Sequence, residues 1–155
     1  MRRIGGLLAV VAAAIMAGAC ALQAGEGSPG WITDFEAAKK QATELKRPIL
    51  ADFSGSDWCG WCIRLDKEVF SQKAFQAYAA TNLVLFLADF PARKPQPETL
   101  AAQNKKLAEQ YRIEGYPTVL LLDASGKELA RTGYQRGGAE AYVEHVKGLL
   151  KTQGK

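Results

Sequence analysis

The chain has 155 residues, 20 Lys+Arg against 16 Asp+Glu for a net charge of +4, and 48% hydrophobic residues. This is the composition of one globular domain, too apolar for a disordered chain. Three cysteines and one histidine are too few for a disulfide-stapled scaffold, a four-cysteine metal site or a histidine-rich cluster. Signs are mixed and there is no long basic stretch, so nothing points to a nucleic-acid partner.

The first segment reads as an address. Arg2 and Arg3 precede the 22 uncharged residues Ile4–Gly25. Leu7, Leu8, Val10, Val11 and Ile15 form an apolar centre and small residues follow, which is the layout of a secretory signal peptide. Cleavage after Leu22-Gln23-Ala24 makes residues 1–24 the signal and 25–155 the mature domain; Ala17-Gly18-Ala19 is the other candidate. The stretch is also just long enough for a membrane anchor, against which its weakly apolar second half argues. Cys20 resembles a bacterial lipoprotein acceptor site, except that Ala17 stands where a large aliphatic is usual. It is therefore either a lipid anchor or discarded with the signal. Both readings imply export to an oxidising compartment, where disulfides persist. Removing the two arginines from 20 basic residues against 16 acidic ones leaves +2.

Beyond the leader, strand and helix patterns alternate. Thr33 and Glu36 have capping-box spacing, and Phe35, Ala38, Ala42 and Leu45 recur at helical intervals, so residues 34–46 read as a helix ended by Pro48. Ile49–Phe53 is a short buried strand interrupted by Asp52. Ser54–Asp57 is a loop. A helix begins at Cys59, with Ile63, Leu65, Val69 and Phe70 as apolar positions, and another spans Gln72–Ala80. Leu83–Ala88 is a second buried strand. Phe90–Pro97, with three prolines, is a loop that either shapes partner choice or is a solvated excursion, the second reading being favoured. Glu98–Tyr111 is a helix. Gly115–Thr118 is a turn and Val119–Leu122 a third strand. Ala124–Lys127 is a hairpin turn into an edge strand through Leu129 and Ala130. A last helix, Ala139–Lys151, buries Tyr142, Val143, Val146, Leu149 and Leu150. The order predicts a layered α/β domain with a parallel start and an antiparallel end.

The chemistry sits in Trp58-Cys59-Gly60-Trp61-Cys62. Two cysteines three apart at a helix start can close a small disulfide ring. The first lies where backbone N–H groups and the helix dipole stabilise a thiolate, the attacking species in disulfide exchange. Cys59 is the expected nucleophile, and Cys62, one turn further in and better buried, the resolving thiol. The rival is half of a zinc or copper site, but Cys20 belongs to the leader and His145 lies far along on the last helix, leaving no convincing third ligand. Asp52 is the second candidate. A buried carboxylate has a raised pKa and can exchange a proton near neutrality; alternatively it caps the loop from the strand's exposed end. Trp58 and Trp61 offer an apolar platform for substrate chains. Local sequence leaves the isomer of the Tyr116–Pro117 bond open.

Together these stretches, with Gly115-Tyr116-Pro117-Thr118 and the strand–turn–strand before the last helix, resemble the thioredoxin superfamily over residues 31–152. Within it the chain resembles the exported group related to the C-terminal domain of the transmembrane thiol–disulfide interchange protein. The resemblance implies a thioredoxin-like fold, a central mixed β-sheet flanked by helices. It implies that Asp52 relays the proton of Cys62, that Pro117 is cis and faces the disulfide, and that Tyr116 offers backbone hydrogen bonds to an extended substrate. Trp58, Gly60, Trp61, Tyr116 and Pro117 form the expected substrate-contacting set. Three departures stand out. Trp61 replaces the family's proline, the loop before Trp58 is one residue longer, and Leu85 stands where thioredoxin places a lysine paired with the buried aspartate.

The expected function is a thiol–disulfide oxidoreductase acting on exported proteins in the bacterial periplasm, with no organic cofactor and no metal ligand. The alternative is a copper- or zinc-binding module on the same fold. Expected partners are protein thiols and disulfides and a membrane or exported redox partner. The expected oligomeric state is a monomer.

Overall fold

The computed structural model describes residues 30–152. The expected signal segment, Cys20 and both candidate cleavage sites lie outside the described residues. Five strands form one sheet, in the order β1-β3-β2-β4-β5. In chain order the elements are β1 (Trp31–Ile32), α1 (Phe35–Leu45), β2 (Ile49–Ser54), α2 (Gly60–Leu65), a π-helical turn (Asp66–Phe70), α3 (Lys73–Asn82), β3 (Val84–Asp89), α4 (Glu98–Gln110), β4 (Thr118–Leu122), β5 (Glu128–Thr132) and α5 (Gly138–Thr152). Strand β3 pairs in parallel with β1 and β2, whereas β4 pairs antiparallel with β2 and β5. The parallel start and antiparallel end follow the predicted order, and β5 is an edge strand, with β1 at the other edge.

Central β2 explains the layering. All six of its residues are buried, because side chains alternate across a sheet that is covered on both faces. Ile49, Ala51 and Phe53 join the core under α1 and α4, with Phe35, Phe86 and Leu107. Leu50 faces the other core, built by Leu65, Val69, Phe75, Tyr142 and Val146 from α2, the π turn, α3 and α5. Asp52 shares the Leu50 face by the same alternation. On α5, Tyr142, Val143 and Val146 are buried, and Leu149 and Leu150 only partly.

Local chemistry departs from the sequence reading in several places. The α1 cap is Asp34, not Thr33: its carboxylate accepts from the Ala37 N–H at 2.9 Å. The helix closes on Lys46 in the left-handed region, two residues before Pro48. Strand β1 is only two residues long, too short to leave a periodic signal. The π turn within the predicted helix leaves no readable signal either, because it is one five-residue turn inside a continuous helical run. The Phe90–Pro97 loop is exposed at Ala92, Arg93, Lys94, Pro95 and Pro97, yet it is more than a solvated excursion. Its Phe90 packs on the core and its prolines line a cleft beside Cys62.

Candidate active site

Strand β2 delivers the chain to the site. After Ser54 the backbone turns over Gly55, whose carbonyl accepts from Trp58 N–H at 3.2 Å and Cys59 N–H at 2.8 Å. This turn sets Cys59 at the N-cap of α2, where its sulfur accepts the Cys62 N–H at 3.2 Å. A side chain that accepts from the first helical turn satisfies a donor the helix itself cannot. Cys59 and Cys62 are joined as a disulfide, with Cα atoms 5.2 Å apart. Cys62 Sγ also accepts the Gly55 N–H at 3.5 Å. Cys59 is 7% and Cys62 4% exposed, so the difference in burial expected between them is small. Gly60 leaves open space over the helix start: a Cβ there would meet nothing within 4 Å.

Asp52 sits mid-strand, paired with Leu87 on β3 and Val119 on β4. It is therefore not at an exposed strand end capping the loop. It is 6% exposed, and its buried Oδ1 has no hydrogen-bond partner. Burial pushes its pKa up to about 8, with the negative charges of Asp66 and Asp89 adding to the effect. Desolvation and like charges both disfavour the carboxylate. Leu85, at the position of the family's lysine, packs partly buried against the apolar core. Asp52 and Cys62 line one cleft of about 850 Å³, with Asp66, Asp89 and Lys94 among the other polar residues on its walls. The strand aspartate and the second cysteine are thus brought to one cleft.

The turn before β4 lies at the same end of the sheet, because Thr118 pairs with Phe53. The Tyr116–Pro117 bond is cis, and Thr118 Oγ1 donates to the Gly115 carbonyl at 2.7 Å. The Tyr116 ring meets Trp58 edge-on at 5.8 Å and Phe90 at 5.2 Å. Trp61 packs with a different set of residues. Its ring lies 5.2 Å from Tyr134, and the Arg64 guanidinium covers both rings at 5.5 and 5.4 Å. Glu68, on the π turn, holds this arrangement by accepting from Arg64 Nε at 2.7 Å and the Tyr134 hydroxyl at 2.6 Å. These two donors lower the Glu68 pKa. Trp58 and Trp61 are similarly exposed, at 47% and 51%.

Sequence reading missed Asp66, Asp89, Phe90, Tyr134, Arg64 and Glu68. Phe90 and Tyr134 approach the site from strands and loops remote in the chain, and no local pattern carries that. His145 is not at the disulfide: its ring nitrogen lies 2.9 Å from Thr132 Oγ1. Among the described residues, no group of three or more His, Cys, Asp or Glu is arranged to hold a metal ion.

Comparisons with known proteins agree with this geometry. A family model described as a thioredoxin-like domain matches residues 35–147. The chain is 39% identical over 114 residues to disulfide bond reductase DsbH of Chlamydia pneumoniae, covering 74% of this chain and 69% of that protein. A solved structure of a DsbH oxidoreductase superposes with a TM-score of 0.74 at 37% identity, covering 78% of this chain and 83% of the other. The thiol:disulfide interchange protein DsbD of Yersinia enterocolitica is 31% identical over 106 residues, which is 66% of this chain but 16% of that longer protein. With its mixed sheet, its helices on both faces and its cysteine pair at the start of α2, the chain belongs to the thioredoxin-like family.

Proposed function

We propose that this protein exchanges disulfides with exported protein substrates through Cys59 and Cys62, working in the reductive direction. It is a thiol–disulfide oxidoreductase, and the observation that carries the reading is the closed Cys59–Cys62 bridge above the Asp52 cleft. The reductive direction is favoured by the name of the 39%-identical relative, a disulfide bond reductase.

In the reduced protein, Cys59 as thiolate attacks one sulfur of a substrate disulfide. A Cys59–substrate bond forms, the substrate bond breaks, and a substrate thiolate leaves. Cys62 then loses its proton and attacks Cys59 Sγ. The Cys59–Cys62 bond forms and the second substrate thiol is released, so two electrons have passed to the substrate. A partner dithiol, membrane-bound or exported, restores the reduced pair by the reverse sequence. Asp52 takes the Cys62 proton, a role that suits a carboxyl group whose pKa lies near neutrality. Trp58, Gly60, Trp61, Tyr116 and Pro117 contact the substrate segment. No organic cofactor takes part.

Export to the bacterial periplasm is supported by the arginine-led apolar leader over residues 1–24, with Cys20 as the lipid-anchored variant of the same reading. No helix among the described residues is long and apolar enough to cross a membrane. The working unit is a monomer.

The test is a Cys62→Ser variant expressed with its leader in the native host. Mixed disulfides on Cys59 should accumulate on non-reducing gels and vanish in the double variant Cys59→Ser/Cys62→Ser. The reading fails if no adduct forms and the purified protein shows no reversible Cys59–Cys62 couple.

A further inference from the structure

The residue that ties the Phe90–Pro97 loop to the disulfide is Asp57. Its Oδ1 accepts the Ala92 N–H at 2.9 Å, and its Oδ2 accepts the Arg93 and Lys94 N–H groups at 2.7 and 2.9 Å. These three donors lie in a loop, where no helix or strand would use them. They draw the Asp57 pKa below the ordinary aspartate value. Two neighbours of Asp57 reinforce the tie. Trp58 Nε1 donates to the Phe90 carbonyl at 2.7 Å, and Ser56 donates to the Asp89 carboxylate through its N–H at 2.9 Å and its Oγ at 2.6 Å. The residues between Gly55 and Cys59 are thus stitched to the far end of β3 and the loop beyond it.

The consequence is a wall beside the reactive pair. Phe90 is held at 5.2 Å from Tyr116, and Tyr116 meets Trp58 edge-on. Trp58 itself cannot move toward the turn, because its indole lies against Gly55 where even a Cβ would collide with it. A rigid aromatic surface binds an apolar side chain at a lower ordering cost than a mobile one.

We propose that Asp57 is a positioning residue which, by pinning the Phe90–Pro97 loop, builds this wall and sets a preference for substrates with a large apolar side chain next to the reacting cysteine. The inference rests on the oxidoreductase reading above. Asp57 touches neither sulfur. It acts through Phe90 and Trp58, so its effect belongs in substrate binding rather than in sulfur transfer. The three N–H groups it releases on substitution can bond to water, so the loop loosens while the core stays intact.

The experiment uses the full mature chain and two short peptides, each with one intramolecular disulfide, identical except for Leu or Ser beside one cysteine. The wild type should show a KM for the Leu peptide about tenfold below that for the Ser peptide, the factor that one good apolar contact supplies. Asp57→Ala should bring the two KM values within about twofold by raising that of the Leu peptide, with kcat little changed. Asp57→Asn keeps one acceptor oxygen and should fall between. The melting temperature of each variant is measured alongside to confirm the fold. A preference that survives in Asp57→Ala, a wild type without preference, or an equal fall in kcat on both peptides would overturn the proposal. A wild type that reduces neither peptide would instead overturn the oxidoreductase reading.

Discussion

Asp52 is where single-residue chemistry is most exposed to test. In the unfolded chain it titrates near the ordinary aspartate value, and in the folded protein at about 8. Between those values the folded state binds a proton that the unfolded state has released. Stability therefore falls as pH rises through that window. Asp52→Asn removes the titration. At pH 8 the oxidised variant should be more stable than the wild type by a few kcal/mol, since each tenfold change in proton affinity carries about 1.4 kcal/mol. At pH 4 the two should nearly coincide. Denaturant midpoints across pH check this, and a parallel pH profile for both proteins contradicts it. The same variant should slow resolution by Cys62 most strongly near neutral pH, where a proton acceptor is needed; stopped-flow decay of a mixed disulfide reads that step. The anomaly of an acidic residue in an apolar strand was plain from the sequence. The acidic companions Asp66 and Asp89 were not, because one comes from the π turn and the other from β3.

At the scale of elements, the turn from β2 into α2 does most of the arranging. Gly55 is needed for close approach rather than for an unusual backbone angle. A methyl group there would run into the Trp58 indole. Gly55→Ala should swing Trp58 off the turn and break its bond to the Phe90 carbonyl. Overpacking of this kind costs about 1–3 kcal/mol. The measurable signs are a red-shifted tryptophan emission and a matching drop in the denaturant midpoint; an unchanged spectrum would show that the indole does not depend on the glycine. The α2 start was readable from Cys-x-x-Cys spacing and the apolar positions after it. The π turn was not, and it places Glu68 where Tyr134 and Arg64 both reach it. That network stacks Arg64 over the Trp61 and Tyr134 rings, a feature no single segment encodes.

For the whole molecule, the sheet is the organising element because it separates two cores. Phe53 lies fully buried in the core under α1 and α4, 6.1 Å from Tyr111. It is on the opposite face from Asp52 and the cleft. Phe53→Ala should cost about 3–5 kcal/mol through lost burial and the cavity it leaves, measured as a denaturant midpoint. The Cys59–Cys62 couple should keep its equilibrium with glutathione within about twofold, because neither cysteine belongs to the core that Phe53 fills, although Phe90 and Tyr116 pack against that core. A large change in that equilibrium would mean that the two faces are coupled.

By itself, the sequence determined the alternation of strand and helix, the cysteine pair at a helix start and the misplaced carboxylate of Asp52. Each is a local pattern, set by side-chain periodicity, spacing or a polar residue in an apolar run. It also carries an arginine-led apolar segment, which lies outside the described residues. Only the tertiary structure decided what surrounds the disulfide: the cleft joining Asp52 to Cys62, the Asp57 tie to a loop about 35 residues away, and the aromatic walls of Phe90, Tyr116 and Tyr134. Those depend on which strand ends the sheet brings together. That is a matter of packing between distant segments, and one chain read in order has no local signal for it.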